Sequence, residues 1–410
     1  MTEQTILYLL LGIITFDFVL ERVLSFLNRK SSKKPIPAEL EGIYDEEKYN
    51  KSQAYQAEVS RFAIFSASFS FILTFCALYF GWFGLIDDWI RTFSPLDMLS
   101  TLIFFGVLFV ISDVIGLPFS LYSNFVIEAK YGFNKMTAKT FILDKIKGYI
   151  LTIIFGGLLL AVLIYLVTFI GSDFWMYFWG VLAAFMLFAN MFYASLILPL
   201  FNKLKPLEDG ELKSSIQAYS EKVKFPLKNI FVMDGSKRSS KGNAFFSGLG
   251  RKKKVVLFDT LIEKHSVEEL TAVFAHEVGH YKKKHIVFST IYSIALMGFM
   301  LYLFSLMAFN SEVSWAMGGQ TSSLHLNMLA FGILYSPVSS IFGIIGNMMS
   351  RKNEFQADAY AKETYKAKPL VEGLKRLSSD HLSNLTPHPA FVFVHYSHPP
   401  LKERIGALNR

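Results

Sequence analysis

Long apolar runs separated by short polar segments dominate this chain, and their spacing predicts its main elements. The runs Ile6–Leu27, Phe62–Ile86, Met98–Tyr122, Tyr149–Gly171, Phe174–Leu200, Ile286–Phe309 and Leu326–Met349 are each long enough to be a membrane-spanning helix. Seven spans are therefore expected. No basic stretch precedes the first run and no small-residue cleavage site follows it, so it is expected to be a retained helix and not a signal peptide. The pattern changes after the fifth run. GELKSSIQAYSEKVKF (residues 210–225) has helical amphipathic spacing, and Asn229–Met233, Asn243–Phe246 and Lys254–Phe258 read as short strands, with a turn at Ser247–Arg251. A further helix is predicted from Ser266, where Glu269 completes a capping box.

These elements predict an all-α integral membrane protein carrying a small α+β, zincin-like domain. The expected divisions are five membrane helices in residues 1–200, the α+β segment in 201–284, two more membrane helices in 285–349 and a C-terminal segment in 350–410. Composition agrees: 52% of the 410 residues are hydrophobic and 18% charged, against about 25% charged in soluble domains. The single cysteine, Cys76, falls inside the second run, which excludes an intrachain disulfide and a cysteine-built zinc site.

Charge placement adds the orientation. Seven Lys and Arg lie between Arg29 and Arg61 and five between Lys130 and Lys147, whereas the loops on the opposite side hold only Arg91. The positive-inside rule then puts the N-terminus outside and the C-terminus in the cytoplasm, in a bacterial inner membrane or the endoplasmic reticulum membrane. The net charge of +8 is thus a topology signal, and no nucleic-acid partner is expected. Asp17, Glu21 and Asp113 interrupt the runs. They read either as helix–helix pairs or, the reading favoured by their cost in hydrocarbon, as the lining of a polar chamber.

The chemistry centres on His276-Glu277-Val278-Gly279-His280. Residues four apart share a helix face, so His276 and His280 can both meet one Zn2+ ion with Glu277 beside its open position. A third protein ligand is required. Ile286 stands where a further histidine would fall, and Glu312 lies beyond the sixth span, across about 30 Å of hydrocarbon. Glu354 is the first acidic residue back on the cytoplasmic side, and Asp358, one turn on, is placed to orient a zinc-bound imidazole. Glu277 then reads as the general base of a zinc endopeptidase, taking a proton from water and passing it to the leaving amine. The carbonyl oxygen needs a donor as charge develops on it, for which histidines and arginines of the tail segment Ser397–Arg404 are candidates. His265, His285, His381, His388 and His395 lack partner spacing and read as structural.

Six blocks together carry a resemblance: FVIEAKYGFNKMT (residues 125–137), LPLFNKLKPLEDGEL (198–212), KGNAFFSGLGRKKKVVLFDTL (241–261), HEVGH, NEFQADAYA and SHPPLKERI. The chain resembles the integral-membrane CAAX prenyl protease family, zinc metalloproteases that remove the last three residues after a prenylated cysteine. That resemblance implies a barrel of seven helices around a large water-filled chamber closed by the zinc site. It also implies His276, His280 and Glu354 as ligands, Glu277 as base, and Asn243 and Ala244 on an edge strand to which substrate adds. His398 and Arg404 match residues that stabilise the reacting carbonyl or hold the site together. The single cysteine and short loops suit a bacterial member, whose substrates would be unprenylated peptides or membrane proteins. Two alternatives stand beside this: a broad-specificity quality-control peptidase on the same scaffold, and a transporter or receptor whose path is lined by Asp17, Glu21 and Asp113. No expectation attaches to oligomeric state.

Overall fold

The computed structural model describes residues 1–94, 96–247 and 253–410. Its first half is helical: α1 Glu3–Ser31, α2 Glu46–Tyr79, α3 Trp82–Arg91, α4 Asp97–Tyr122 (continued to Glu128 by a wider π turn), α5 Ala138–Leu151, α6 Leu158–Ile170, α7 Phe174–Phe192 and α8 Leu198–Phe201. A mixed segment follows with β1 Leu204–Pro206, α9 Glu211–Lys222, β2 Leu227–Met233, β3 Ala244–Ser247, β4 Lys253–Phe258, α10 Asp259–Ile262 and α11 Val267–Lys282. Then come α12 His285–Ser305, α13 Ser311–Ala316, α14 Leu324–Thr364, α15 Ala367–Asp380, α16 Pro389–His395 and α17 Leu401–Asn409.

Among the described residues, five helical stretches are long and apolar enough to cross a membrane: Glu46–Tyr79, Asp97–Glu128, Ala138–Phe201, His285–Ser305 and Leu324–Thr364. This is a multi-pass membrane protein. The first sequence run lies in α1, which also holds Asp17, Glu21 and Arg22. The fourth and fifth runs share the 64-residue stretch Ala138–Phe201. Gly171, at φ 72 and ψ −140, ends α6 there, and α7 packs back against it.

The second run extends differently from the reading Phe62–Ile86. α2 begins much earlier, because Asp45 caps it by accepting from the Lys48 N–H at 2.7 Å, and it stops at Tyr79. Gly81 then turns the chain with φ 67. The segment expected as a loop with Asp87 and Arg91 is instead α3. Gly84 explains its placement: its N–H donates to the Met317 carbonyl at 3.1 Å, and a Cβ there would stand 1.9 Å from the Gly318 oxygen. Asp87 is fully buried, bonded to Arg91, Ser323 and His325. Within the early runs, Asp17, Glu21 and Asp113 each have a partner from another element: Asp17 with Ser336, Glu21 with His395, and Asp113 with Lys145 and Tyr149.

The three expected strands form, each shifted by a residue or two, and β1 joins them. From Gly248 on, the turn expected at Ser247–Arg251 lies outside the described residues. Strand order is β1-β2-β4-β3, with β2 and β4 parallel and both other pairs antiparallel. Ile230, Val255 and Leu257 bury one face of the sheet in a core shared with Phe274, Ala275 and Val278 of α11. Burial of these side chains, at roughly 1.5–3 kcal/mol each, fixes α11 against the sheet. β3 stands at an edge of the sheet.

Candidate metal centre

α11 starts with the capping box read from the sequence. The Glu269 N–H donates to Ser266 Oγ at 3.2 Å, and the Ser266 N–H donates to the Glu269 carboxylate at 3.2 Å. Arg376 and His265 hold the same buried carboxylate. Three turns on, α11 crosses α14 at Gly279, where a Cβ would lie 2.9 Å from Ala357 Cα and 3.1 Å from its carbonyl oxygen. That close approach brings Glu354 and Asp358 of α14 up to His276 and His280.

His276 Nε2 and His280 Nε2 are 3.2 Å apart. Glu354 Oε1 is 3.2 Å from His280 Nε2, and Glu354 Oε2 is 3.5 Å from His276 Nε2. Donors at about 2.05 Å around a tetrahedral zinc ion would be separated by about 3.3 Å. One donor atom from each of the three residues lies within 4.8 Å of the other two. Glu354 Oε2 is moreover buried without an aligned hydrogen bond, although His398 Nδ1 is 2.9 Å away and the Arg404 guanidinium 3.4 Å. A carboxylate oxygen left unsatisfied between two imidazoles is what a cation would complete. Zinc fits.

Behind this set, Asp358 Oδ1 is 2.8 Å from His276 Nδ1. Arg404 grips the same carboxylate with two N–H groups, at 2.6 and 2.8 Å. Arg404 thus braces Asp358 from the buried side, whereas His398 lies at the exposed rim. Burial disfavours a charged His276, but its bonds to Asp358 and Glu354 outweigh this and lift its pKa to about 9. A divalent cation would displace that proton. Burial pushes the Glu277 carboxyl up; the His276 and His280 charges oppose the shift and the Glu354 charge adds to it. A carboxyl raised in this way, next in sequence to His276, is suited to taking up and giving back a proton.

Asn243 directly precedes β3 and Ala244 begins it. Asn243 Oδ1 accepts the Ala244 N–H at 2.8 Å and the Asn243 carbonyl accepts from Phe258 at 3.0 Å, so β3 keeps its outer edge free of strand partners among the described residues. Spacing left five histidines as structural. His265 holds the Glu269 carboxylate, the His388 ring accepts the Ala390 N–H, and His395 meets Glu21. His285 departs from that reading: its Nδ1 is 3.0 Å from His280 Nδ1. Residues 280 and 285 are five apart, and no helical period signals such a pair.

Comparison with known proteins places this geometry in a family. Residues 25–203 match the family description "CAAX prenyl protease N-terminal, five membrane helices", and residues 206–410 match peptidase family M48. The chain is 36% identical over 401 residues to a CAAX prenyl protease 1 homolog of Oryza sativa subsp. japonica, covering 96% of this chain and 94% of that one. It is 35% identical over 409 residues to CAAX prenyl protease 1 of Saccharomyces cerevisiae, covering 93% and 90%. The crystal structure of S. mikatae Ste24p superposes with a TM-score of 0.93 at 34% identity, over 99% of both chains. The chain is a membrane zinc metallopeptidase and belongs to the CAAX prenyl protease 1 proteins of peptidase family M48.

Proposed function

We propose that the protein is an endopeptidase that cuts near the C-terminus of CAAX-type, prenylated proteins or peptides. The observation that carries this is the convergence of His276, His280 and Glu354 with donor atoms within 4.8 Å, beside the raised carboxyl of Glu277. His276, His280 and Glu354 would hold zinc, which when bound would acidify a water molecule and polarise the scissile carbonyl. Glu277 takes the proton released as water attacks and delivers it to the leaving amine. Asp358, braced by Arg404, keeps His276 in the tautomer whose Nε2 lone pair faces the point shared with His280 and Glu354. His398, at the rim, donates towards the carbonyl oxygen as charge develops on it. The substrate backbone adds along β3 at Asn243 and Ala244, an edge with no strand beyond it among the described residues.

The membrane part is read as seven spans around a water-filled chamber. The 29 residues of α1 rise about 42 Å, enough to cross a hydrocarbon core of about 30 Å. The 64-residue stretch would run about 95 Å if straight, and its break at Gly171 supports two passes. Charge placement puts the N-terminus outside and the metal site in the cytoplasm, with the soluble segment beginning near residue 201 and the membrane helices resuming near 285. Asp17, Glu21 and Asp113 are paired between elements, which weakens the transporter reading.

Substitution Glu277→Gln, assayed with zinc bound, is expected to abolish cleavage of a farnesylated C-terminal peptide. Full activity in that variant would remove Glu277 as base. Comparing the same peptide with and without its prenyl group tests the substrate class; equal kcat/KM would favour a broad-specificity peptidase instead.

A further inference from the structure

α11 ends at Lys282 and α12 begins at His285, and the short junction decides where the His285 ring points. On an uninterrupted helix residues 280 and 285 would be turned about 140° from one another and could not meet. Lys284 breaks the helix. It takes φ 59 and ψ 27, a left-handed conformation in which the Cβ crowds the following carbonyl oxygen. The resulting bend sets the His280 and His285 rings edge to face, with centroids 5.1 Å apart.

The hydrogen bonds then have one consistent direction. His285 is 5% exposed, and its Nε2 lies 2.9 Å from Gln356 Oε1. That oxygen can only accept, so His285 Nε2–H donates and the neutral ring keeps a lone pair on Nδ1. His285 Nδ1 therefore accepts from His280 Nδ1–H across 3.0 Å. With its proton held on Nδ1, His280 presents the lone pair of Nε2 to the point it shares with His276 and Glu354.

We propose that His285, itself anchored by Gln356, is the positioning residue for His280, fixing its tautomer and ring angle as Asp358 does for His276. The inference rests on the reading of His280 as a zinc ligand. It also gives the strained turn at Lys284 a purpose: it carries the second imidazole back over the first. The two supporting arms differ in chemistry yet match in charge. Asp358 is neutralised by Arg404, and the His285–Gln356 arm is neutral throughout. Neither arm adds net charge at the metal, leaving Glu354 as the one anionic ligand.

The test is a zinc competition titration against a chromophoric chelator, on the full-length protein in detergent at fixed pH. His285→Leu, which keeps bulk but cannot accept, is expected to bind zinc roughly 10–100-fold more weakly. His285→Asn, whose side-chain oxygen can accept in place of Nδ1, is expected to recover most of that loss. Gln356→Met, distant from the ion itself, is expected to weaken binding by a smaller factor. The cobalt-substituted protein gives a second readout, since a reoriented His280 alters the visible band of the tetrahedral ion in His285→Leu but not in His285→Asn. Should His285→Leu fail to fold, Gln356→Met and His285→Asn decide. Unchanged zinc affinity in the folded variants overturns the proposal. Zinc affinity is read without peptidase turnover, so an active Glu277→Gln enzyme would sink the catalytic reading and leave this one standing.

Discussion

Gly279→Ala sets two effects against each other where α11 packs closely on the α14 backbone. Alanine in a helix interior is favoured over glycine by about 1 kcal/mol. The added Cβ, however, would stand 2.9 Å from Ala357 Cα, 3.1 Å from the Ala357 oxygen and 3.2 Å from Tyr360 Cβ. Ordinary carbon contacts lie at about 3.5–4.0 Å, so the helices must separate by about 0.6–1 Å. Overpacking of this kind costs about 1–3 kcal/mol, which leaves the variant between neutral and about 2 kcal/mol less stable. Zinc binding responds more sharply. Glu354 and Asp358 ride on the helix that must move, while metal–ligand distances tolerate only about 0.2 Å. A loss of roughly 10–100-fold in zinc affinity is expected, measured by chelator competition beside a thermal melt of the metal-free protein. Ala357→Gly should not rescue the variant, because the two nearest atoms, Ala357 Cα and the Ala357 oxygen, are main-chain. A Gly279→Ala protein that melts higher and binds zinc within twofold of the parent would refute the claim that close helix approach assembles the site.

Two further predictions follow from the charges. With a His276 pKa of about 9 in the absence of metal, zinc must displace a proton below that pH, so apparent affinity should rise about tenfold per unit from pH 7 and level off near 9; a flat profile from pH 7 to 9 would contradict the assigned Asp358 and Glu354 contacts. The linked stability runs the opposite way: the raised pKa stabilises the metal-free fold fully below the unfolded value of about 6.5, and that contribution is lost as pH climbs through 9. Lys241 Nζ bonds Glu128 at 2.9 Å and sits 4.2 Å from the Phe133 ring centre, while Glu128 also accepts from the Tyr55 hydroxyl. Lys241→Met is therefore expected to destabilise by about 1–2 kcal/mol, and a double-mutant cycle with Glu128→Gln in thermal melts should show favourable coupling of at least about 0.5 kcal/mol.

How far the sequence foretold this molecule depends on whether the determining contact has a period. His276 and His280 share a face by the period of the helix, and Asp358 follows Glu354 by the same rule. Glu354 itself emerged because an intervening span makes Glu312 unreachable, a constraint as regular as the bilayer is thick. Where contacts depend on a turn, pattern fails. Asp87 follows the second run directly, where the sequence suggests a loop; α3 instead folds back at Gly81 and buries Asp87 against His325. β1, three residues with a proline, had no pattern to find. Arg404 was legible only as a candidate donor to the reacting carbonyl, since nothing in the spacing of residues 358 and 404 announces its two-pronged ion pair with Asp358. His285 is the sharpest case. Read along a helix it points away from the metal, and one left-handed lysine reverses that. The signal was the run Lys282-Lys283-Lys284 between an amphipathic and an apolar helix, a boundary whose geometry the sequence does not encode by residue type. Sites assembled by periodic neighbours can be read from a chain, whereas the groups that orient those neighbours sit at helix breaks, where position is decided by packing.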